Sequence, residues 1–473
     1  MKKALAMTLG ALLVAGSAAP AFAASQVDFS GYYRTIFGND WNLNRGTKET
    51  KYNDSYFVNR LHLDFGFHAT DEVSVYWALR APNDQRWGDP NSSMAATTYH
   101  AYGEVKQDWG TVSIGRLTDA YAYLGLASVG YNPGGIDDVF TDWGLFDLPN
   151  TAYDGIRFAN RWDSGFQLVA QFNRLNTGQS WGWDGVSLGT VTLGDEESAD
   201  LFILQPSFHW DTGAASLAML YYHDQINGMA PYTKSLDPAD PFNTQNQASY
   251  RAFLFNPAFA QSFGDFGAHF EGMFGRGKDK ESGDKSNGYG FYLDVDYNYG
   301  PGSVLLAGWW TAGTGKDDTK DKALLHNVLG AGMGSAFQPL LLAYGSTGYG
   351  REVLPDGNSA VAAANANSSA KNSGLTNNHW ALALGGAHAF TDDLTLKYTV
   401  GYLGLNKVDE GAKKEVGWEA DLGLQVNLLD NLEFRTTFGY LAAGKALDDR
   451  SDPDNIVKAK DAYSWYNTLV FNF

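Results

Sequence analysis

Cysteine is absent from this 473-residue chain. No disulfide framework is available, so hydrogen bonding and packing alone must hold the fold. Positive charge is scarce: 34 Lys and Arg stand against 53 Asp and Glu, a formal net charge of −19. That balance excludes nucleic acid as a partner, because phosphate binding needs a basic surface. Apolar runs of transmembrane-helix length are missing as well. The longest, from Ala4 to about Ala15, is too short to span a bilayer as a helix. It follows the basic Met1-Lys2-Lys3 and precedes Ala21-Phe22-Ala23, a small-x-small cleavage site. Residues 1–23 therefore read as a secretory signal peptide whose removal leaves Ala24 at the mature N-terminus; an uncleaved anchor is the alternative.

Aromatic residues (14%) and glycine (54 residues) are plentiful, and the apolar residues recur with a period of two. From Gly288 to Tyr299, Tyr289, Phe291, Leu293, Val295 and Tyr297 share one face while Tyr292, Asp294, Asp296 and Asn298 share the other. Leu61, Leu63, Phe65 and Phe67 oppose Arg60, His62 and Asp64. Val416, Trp418, Ala420 and Leu422 oppose Glu419 and Asp421. A soluble sandwich alternates too, but these runs are long enough for tilted strands that cross a bilayer. A mean hydropathy of −0.30 is compatible with that, since only alternate residues of such strands meet lipid.

Connector lengths point the same way. Turn-like links such as Thr70-Asp71, Trp210-Asp211-Thr212-Gly213 and Thr391-Asp392-Asp393 alternate with long polar ones. One end with tight turns and the other with large loops is the pattern of an all-β transmembrane antiparallel barrel. The repeat predicts about eighteen strands, with sixteen left open by the irregular 250–276 region. An even count places both termini at the tight-turn end. No linker divides residues 24–473, so they read as a single barrel. Two connectors stand out. Residues 117–152 are too long for a surface hairpin and are the candidate for a loop folded into the barrel; residues 314–376 read as a long extracellular loop, partly helical.

The last thirteen residues form one strand. Tyr463, Trp465, Leu469, Phe471 and the final Phe473 share its apolar face, interrupted only by Asn467. Such an ending resembles that of bacterial outer-membrane barrel proteins, in which the terminal aromatic strand closes the barrel and serves as the signal read by the assembly machinery. Within the chain, Tyr102 to Arg116, through the turn at Asp108-Trp109-Gly110, is similar to the fourth and fifth strands of the general diffusion porins of Gram-negative bacteria. Asp154 to Asn160 resembles the strand that resumes after their constriction loop, and Pro133-Gly134-Gly135-Ile136-Asp137-Asp138 its acidic tip. Val27 to Arg34 is similar to the opening of both general porins and maltoporin-type porins, which have eighteen strands. The detailed resemblance covers residues 27–38 and about 99–173. It implies a homotrimeric, water-filled channel in the outer membrane, in contact with lipid and lipopolysaccharide, and narrowed by an inward-folded third loop.

Strand parity supplies the channel chemistry. Arg34, Arg60, Arg80 and Arg157 all fall on polar faces and are candidates to line the lumen, or else to pair with carboxylates on neighbouring strands. Asp137, Asp138, Asp142 and Asp147 on the 117–152 loop are candidates to face them across a transverse field, or else are solvated surface charges. The resemblance places Arg60 at a wall arginine of the general porins. It also finds Tyr99 and Ala152 where that family carries arginine. A carbohydrate-selective channel would need an aromatic track, for which Tyr32, Tyr56, Tyr292 and Tyr466 have the right parity; wall packing is the alternative. His62, His100, His209, His269 and His388 are scattered without a catalytic motif, so neither an enzyme nor a cofactor is expected. The loop from Asp448 to Asp454 lacks EF-hand spacing and reads as a solvated acidic loop rather than a Ca²⁺ site. The expectation is a channel for passive diffusion of small hydrophilic solutes, with modest cation preference. A maltoporin-like channel is the first alternative, and an outer-membrane enzyme or a purely structural barrel stands behind it.

Overall fold

The computed structural model describes residues 26–42, 53–86, 96–117, 153–176, 199–224, 250–279, 285–315, 378–448 and 456–473, together with 340, 342, 360, 361 and 364. The signal segment, Asp137, Asp138, Asp142, Asp147 and Asp449 to Asp454 lie outside the described residues, as does all of the 117–152 connector except Leu117 and nearly all of the 314–376 connector.

Eighteen strands form one antiparallel sheet closed on itself. In order they are β1 (Gln26–Trp41), β2 (Asn53–His68), β3 (Val73–Arg86), β4 (Thr97–Gln107), β5 (Gly110–Leu117) and β6 (Tyr153–Arg161). Next come β7 (Phe166–Asn176), β8 (Ala199–Trp210), β9 (Gly213–Asp224), β10 (Tyr250–Phe263), β11 (Phe266–Asp279) and β12 (Lys285–Asn298). The last are β13 (Gly302–Thr311), β14 (His379–Thr391), β15 (Leu394–Leu405), β16 (Glu415–Leu429), β17 (Leu432–Ala443) and β18 (Ala462–Asn472). Every strand pairs with its neighbours in sequence, and β1 pairs with β18. Alternate links are two to four residues long and gather at one end of the barrel.

Closure is a main-chain event. Gly31 N–H donates to Phe473 O at 2.9 Å, and Phe473 N–H donates back to Gly31 O at 3.0 Å. A Cβ at Gly31 would lie 2.3 Å from His62 O and 3.1 Å from the Phe473 ring. Only glycine admits the terminal residue this closely. The Phe473 ring packs beside Phe29 and Phe471, at 5.7 and 5.8 Å between centroids.

The alternation separates two surfaces. Phe253, Leu293, Leu382, Leu422 and Phe438 are exposed on the outside, while their strand neighbours are buried inside. That sorting, with apolar side chains out and buried residues in, is the reverse of a soluble domain and belongs to a barrel solvated by lipid. Among the described residues no helix is long and apolar enough to cross a membrane.

The irregular 250–276 region is a regular hairpin, β10–β11, turning at Gly264-Asp265. Pro257 has no N–H to offer β11, and the Asn256 side-chain amide donates to Gly272 O at 2.9 Å instead. The count is therefore eighteen. One parity expectation fails. Val416, read on the outer stripe with Trp418, is fully buried in the interior cluster. The register steps from Leu403↔Gly417 to Gly404↔Glu415, so Val416 is the extra residue of a bulge made possible by Gly417 at φ 143°.

Candidate functional site

The interior changes character along the strands. Toward the long-loop end it is apolar: Leu201 and Ile203 on β8, Leu220 and Tyr222 on β9, Leu254 on β10 and Trp309 on β13 join one buried cluster. Leu340, Leu342, Ala360, Val361 and Ala364 belong to it too. Part of the 314–376 connector therefore lies inside the barrel. A Cβ on Gly401 would meet the tip of Leu340 at 2.9 Å, and Leu342 N–H donates to the carboxylate of Glu419 on β16. Further toward the short-turn end the interior faces carry Gln205 and Ser207 on β8, Ser216 on β9, Asn256 on β10, and His269 and Glu271 on β11.

The arginines are gathered by register. Arg34 and Arg60 are direct cross-strand partners, and His62 pairs with Arg80. All four are buried on the interior face. Arg80 Nε donates to His62 Nδ1 at 2.9 Å, His62 Nε2 meets Asp64 at 3.0 Å, and the His62 ring stacks on Tyr32 at 5.2 Å. The guanidinium of Arg80 lies 3.5 Å from the Tyr99 ring centroid. That contact needs a bulge. Ala78 pairs with His100 but Leu79 with Thr98, which leaves Tyr99 as the extra residue. Tyr99 and His100 both approach the cluster as a result, Tyr99 at 5.6 Å from the His62 ring and His100 Nε2 at 3.9 Å from Asp64. Arg157 stands apart on β6, with Nη2 3.4 Å from Ser113 Oγ and its guanidinium 5.9 Å from the Tyr102 ring. Of the four tyrosines offered for an aromatic track, Tyr32 borders the basic cluster beside Tyr99, whereas Tyr56, Tyr292 and Tyr466 are buried in the apolar one.

A second charged group escaped the strand-by-strand reading. His269 bridges Glu271 (2.9 Å) and Asp294 (3.1 Å), and Asp296 follows on β12. Parity placed Asp294 and Asp296 inside, but only the β11–β12 register joins them to His269. In a ring of eighteen strands β11 stands nine from β2, which is diametrically opposite. The basic wall of β1–β4 and the acidic wall of β11–β12 thus occupy opposite sides of the barrel. Glu419 and Asp421 on β16 and Lys397 on β15 add buried charge between them. Among the described residues no group of three or more His, Asp or Glu is placed to hold a metal ion. Asp448 accepts a hydrogen bond from Ala459 N–H at 3.0 Å.

A closed antiparallel barrel with an apolar exterior, a charged interior and all short turns at one end is the architecture of an outer-membrane β-barrel channel. The family model for Gram-negative porins matches residues 8–324, and the chain belongs to that family. It is an outer-membrane porin. Its fold is similar to that of a BenF-like porin from Pseudomonas fluorescens (10% identity, 95% of this chain and 98% of that one, TM-score 0.52). It is similar also to Pseudomonas aeruginosa OccK11 (10% identity, 94% and 96%, TM-score 0.51) and to P. aeruginosa OpdK with vanillate (10% identity, 95% and 98%, TM-score 0.51). No curated protein matches the chain by sequence.

Proposed function

We propose that this porin is a channel for passive diffusion of small hydrophilic solutes and ions, with Arg34, Arg60, Arg80 and Arg157 on its wall. The observation that carries this reading is the placing of buried charge of opposite sign on diametrically opposed strands. A transverse field of this kind orders water and dipolar solutes without a covalent step. The counter-charge in the proposal is Glu271, Asp294 and Asp296 on the wall, with the loop acids Asp137, Asp138, Asp142 and Asp147 adding to it from the 117–152 connector. The inward-packed Leu340 and Leu342 support a second narrowing element on the β15–β16 side. The acidic balance of the chain supports a modest preference for cations.

The test is single-channel conductance in planar bilayers with sugar titration and a salt gradient. Ohmic current without saturable block supports diffusion. Saturable block by a sugar replaces it with a carbohydrate-selective channel, and a reversal potential favouring anions removes the cation preference. Turnover of lipid or peptide with little conductance would make the barrel an enzyme.

The reading includes export through a cleaved signal peptide, Phe473 as the assembly signal and a homotrimer. A polar seam on the outer face across β17, β18, β1 and β2 supports the trimer. There Thr35 and Tyr33 both donate to Asn59, Trp465 Nε1 donates to Thr436 at 3.1 Å, and Asn467 lies between Phe37 and Thr436. Polar groups at this depth fit a protein partner better than lipid. Light scattering of the purified protein tests it: Thr35→Leu with Asn59→Leu shifts mass from trimer to monomer, and an unchanged mass counts against the seam.

A further inference from the structure

The outer surface at the extracellular end is divided into two unlike arcs. On β5–β12 one continuous row of residues runs in direct register: Arg116↔Asp154, Asp154↔Arg174, Arg174↔Asp200, Asp200↔His223, His223↔Arg251, Arg251↔Lys278 and Lys278↔Lys285. The row lies on the lipid-facing parity, shared with Phe172, Phe202, Tyr221 and Phe253 one step nearer the periplasm. Those four rings form an unbroken belt, with centroids 5.0, 6.0 and 4.7 Å apart. An aromatic belt marks the boundary between hydrocarbon and headgroups. The charged row sits two residues further out, about 7 Å along the strand, at headgroup height.

With Arg276 beside it, the row carries six cations against two carboxylates, on a chain whose net charge is −19. Arg174 and Asp200 pair at 2.9 Å. Beyond them Arg251, Lys278 and Lys285 stand side by side on three successive strands, all exposed. Like charges in direct cross-strand register oppose pairing unless an anion lies between them. Among the described residues the other arc has no such row of cations. Trp310, Trp380, Tyr402 and Tyr440 continue the aromatic belt, and two residues further out stand the uncharged Ala312, Asn378, Gly404 and Ala442, with the carboxylates of Glu415 beside Gly404 and of Asp461 beside Ala443.

We infer that the β5–β12 arc is a docking surface for phosphate-bearing headgroups of outer-leaflet lipid, held between Arg251, Lys278 and Lys285. Acyl chains of the same lipid lie along the phenylalanines below. The inference rests on the reading of the chain as an outer-membrane barrel but is independent of what passes through it. The full-length folded protein in neutral detergent is titrated with bis-phosphorylated lipid A or with phosphatidylcholine, and adducts are counted by native mass spectrometry. Lipid A adducts are expected to dominate in the wild type. In Arg251→Gln/Lys278→Gln/Lys285→Gln their apparent affinity falls about tenfold or more, as removal of three surface cations implies. The control Lys413→Gln/Lys414→Gln/Lys445→Gln, which neutralises exposed cations on the opposite arc, leaves it unchanged. Should the first triple variant not fold, Lys278→Gln alone, with the salt dependence of wild-type binding, provides the same readout. Equal retention of both lipids, an unchanged affinity in the first variant, or equal loss in both triples overturns the proposal. Single-channel conductance unchanged in the first variant separates lipid docking from the channel reading, since none of these side chains faces the lumen.

Discussion

The two halves of the lumen are lined by the same strands with the same alternation, yet they behave as different materials. On β8 the interior side chains run Leu201, Ile203, then Gln205, Ser207; on β10 they run Ala252, Leu254, then Asn256. The extracellular half is a hydrophobic core that admits Leu340 and Leu342 from a connector. The half toward the periplasm is a polar wall, where His269, Glu271 and Asp294 satisfy one another. Alternation decides only which face a residue occupies. Height along the strand decides whether that face is filled by protein or left to carry charge.

Breaking the polar half should have the largest effect. Glu271→Ala leaves His269 with one buried carboxylate partner in place of two, and removing one member of a buried charged group costs about 3–5 kcal/mol. Urea unfolding in phospholipid vesicles, followed by tryptophan fluorescence, measures the loss; a change under about 1 kcal/mol would mean that water already solvates this wall. In the filled half, Leu340→Ala should cost about 2–4 kcal/mol in the same assay, as for other buried leucines. It should also raise single-channel conductance by loosening the inward segment. Unchanged conductance would separate this packing from the ion path. At the boundary between the halves, Tyr99→Ala removes the ring under Arg80 and should cost about 1 kcal/mol, with Tyr99→Phe near wild type. Smallest in energy is Arg34→Gln. One unit charge about 8 Å from a permeating ion in water contributes ~0.5 kcal/mol, with opposite sign for cation and anion, so the cation-to-anion permeability ratio should rise about fivefold. A reversal potential that does not move would take Arg34 off the ion path.

Much of this architecture was legible residue by residue. The outer stripe of Leu61, Leu63, Phe65 and Phe67, the interior parity of Arg34, Arg60, Arg80 and Arg157, and the tight turns at one end all follow from local pattern. The site was legible only in pieces. His62, His100 and Tyr99 read as unrelated residues; a bulge in β4 and the β2–β3 register bring them around Arg80 and Asp64. His269 likewise carried no signal, because its partners Glu271 and Asp294 sit on two strands whose register no single strand encodes. Val416 was misplaced for a related reason: a bulge at Gly417 inverts parity without changing the apolar pattern around it.

By itself, the sequence determined the strands, their two faces and the end at which each begins, because a period of two and the turn chemistry of Asp, Asn and Gly are properties of adjacent residues. Tertiary structure alone decided that Phe473 meets Gly31, that β2 and β11 oppose each other with charge of opposite sign, and that Leu340 packs inside. These depend on ring closure and cross-strand register, which join residues hundreds of positions apart through main-chain hydrogen bonds that any side chain permits.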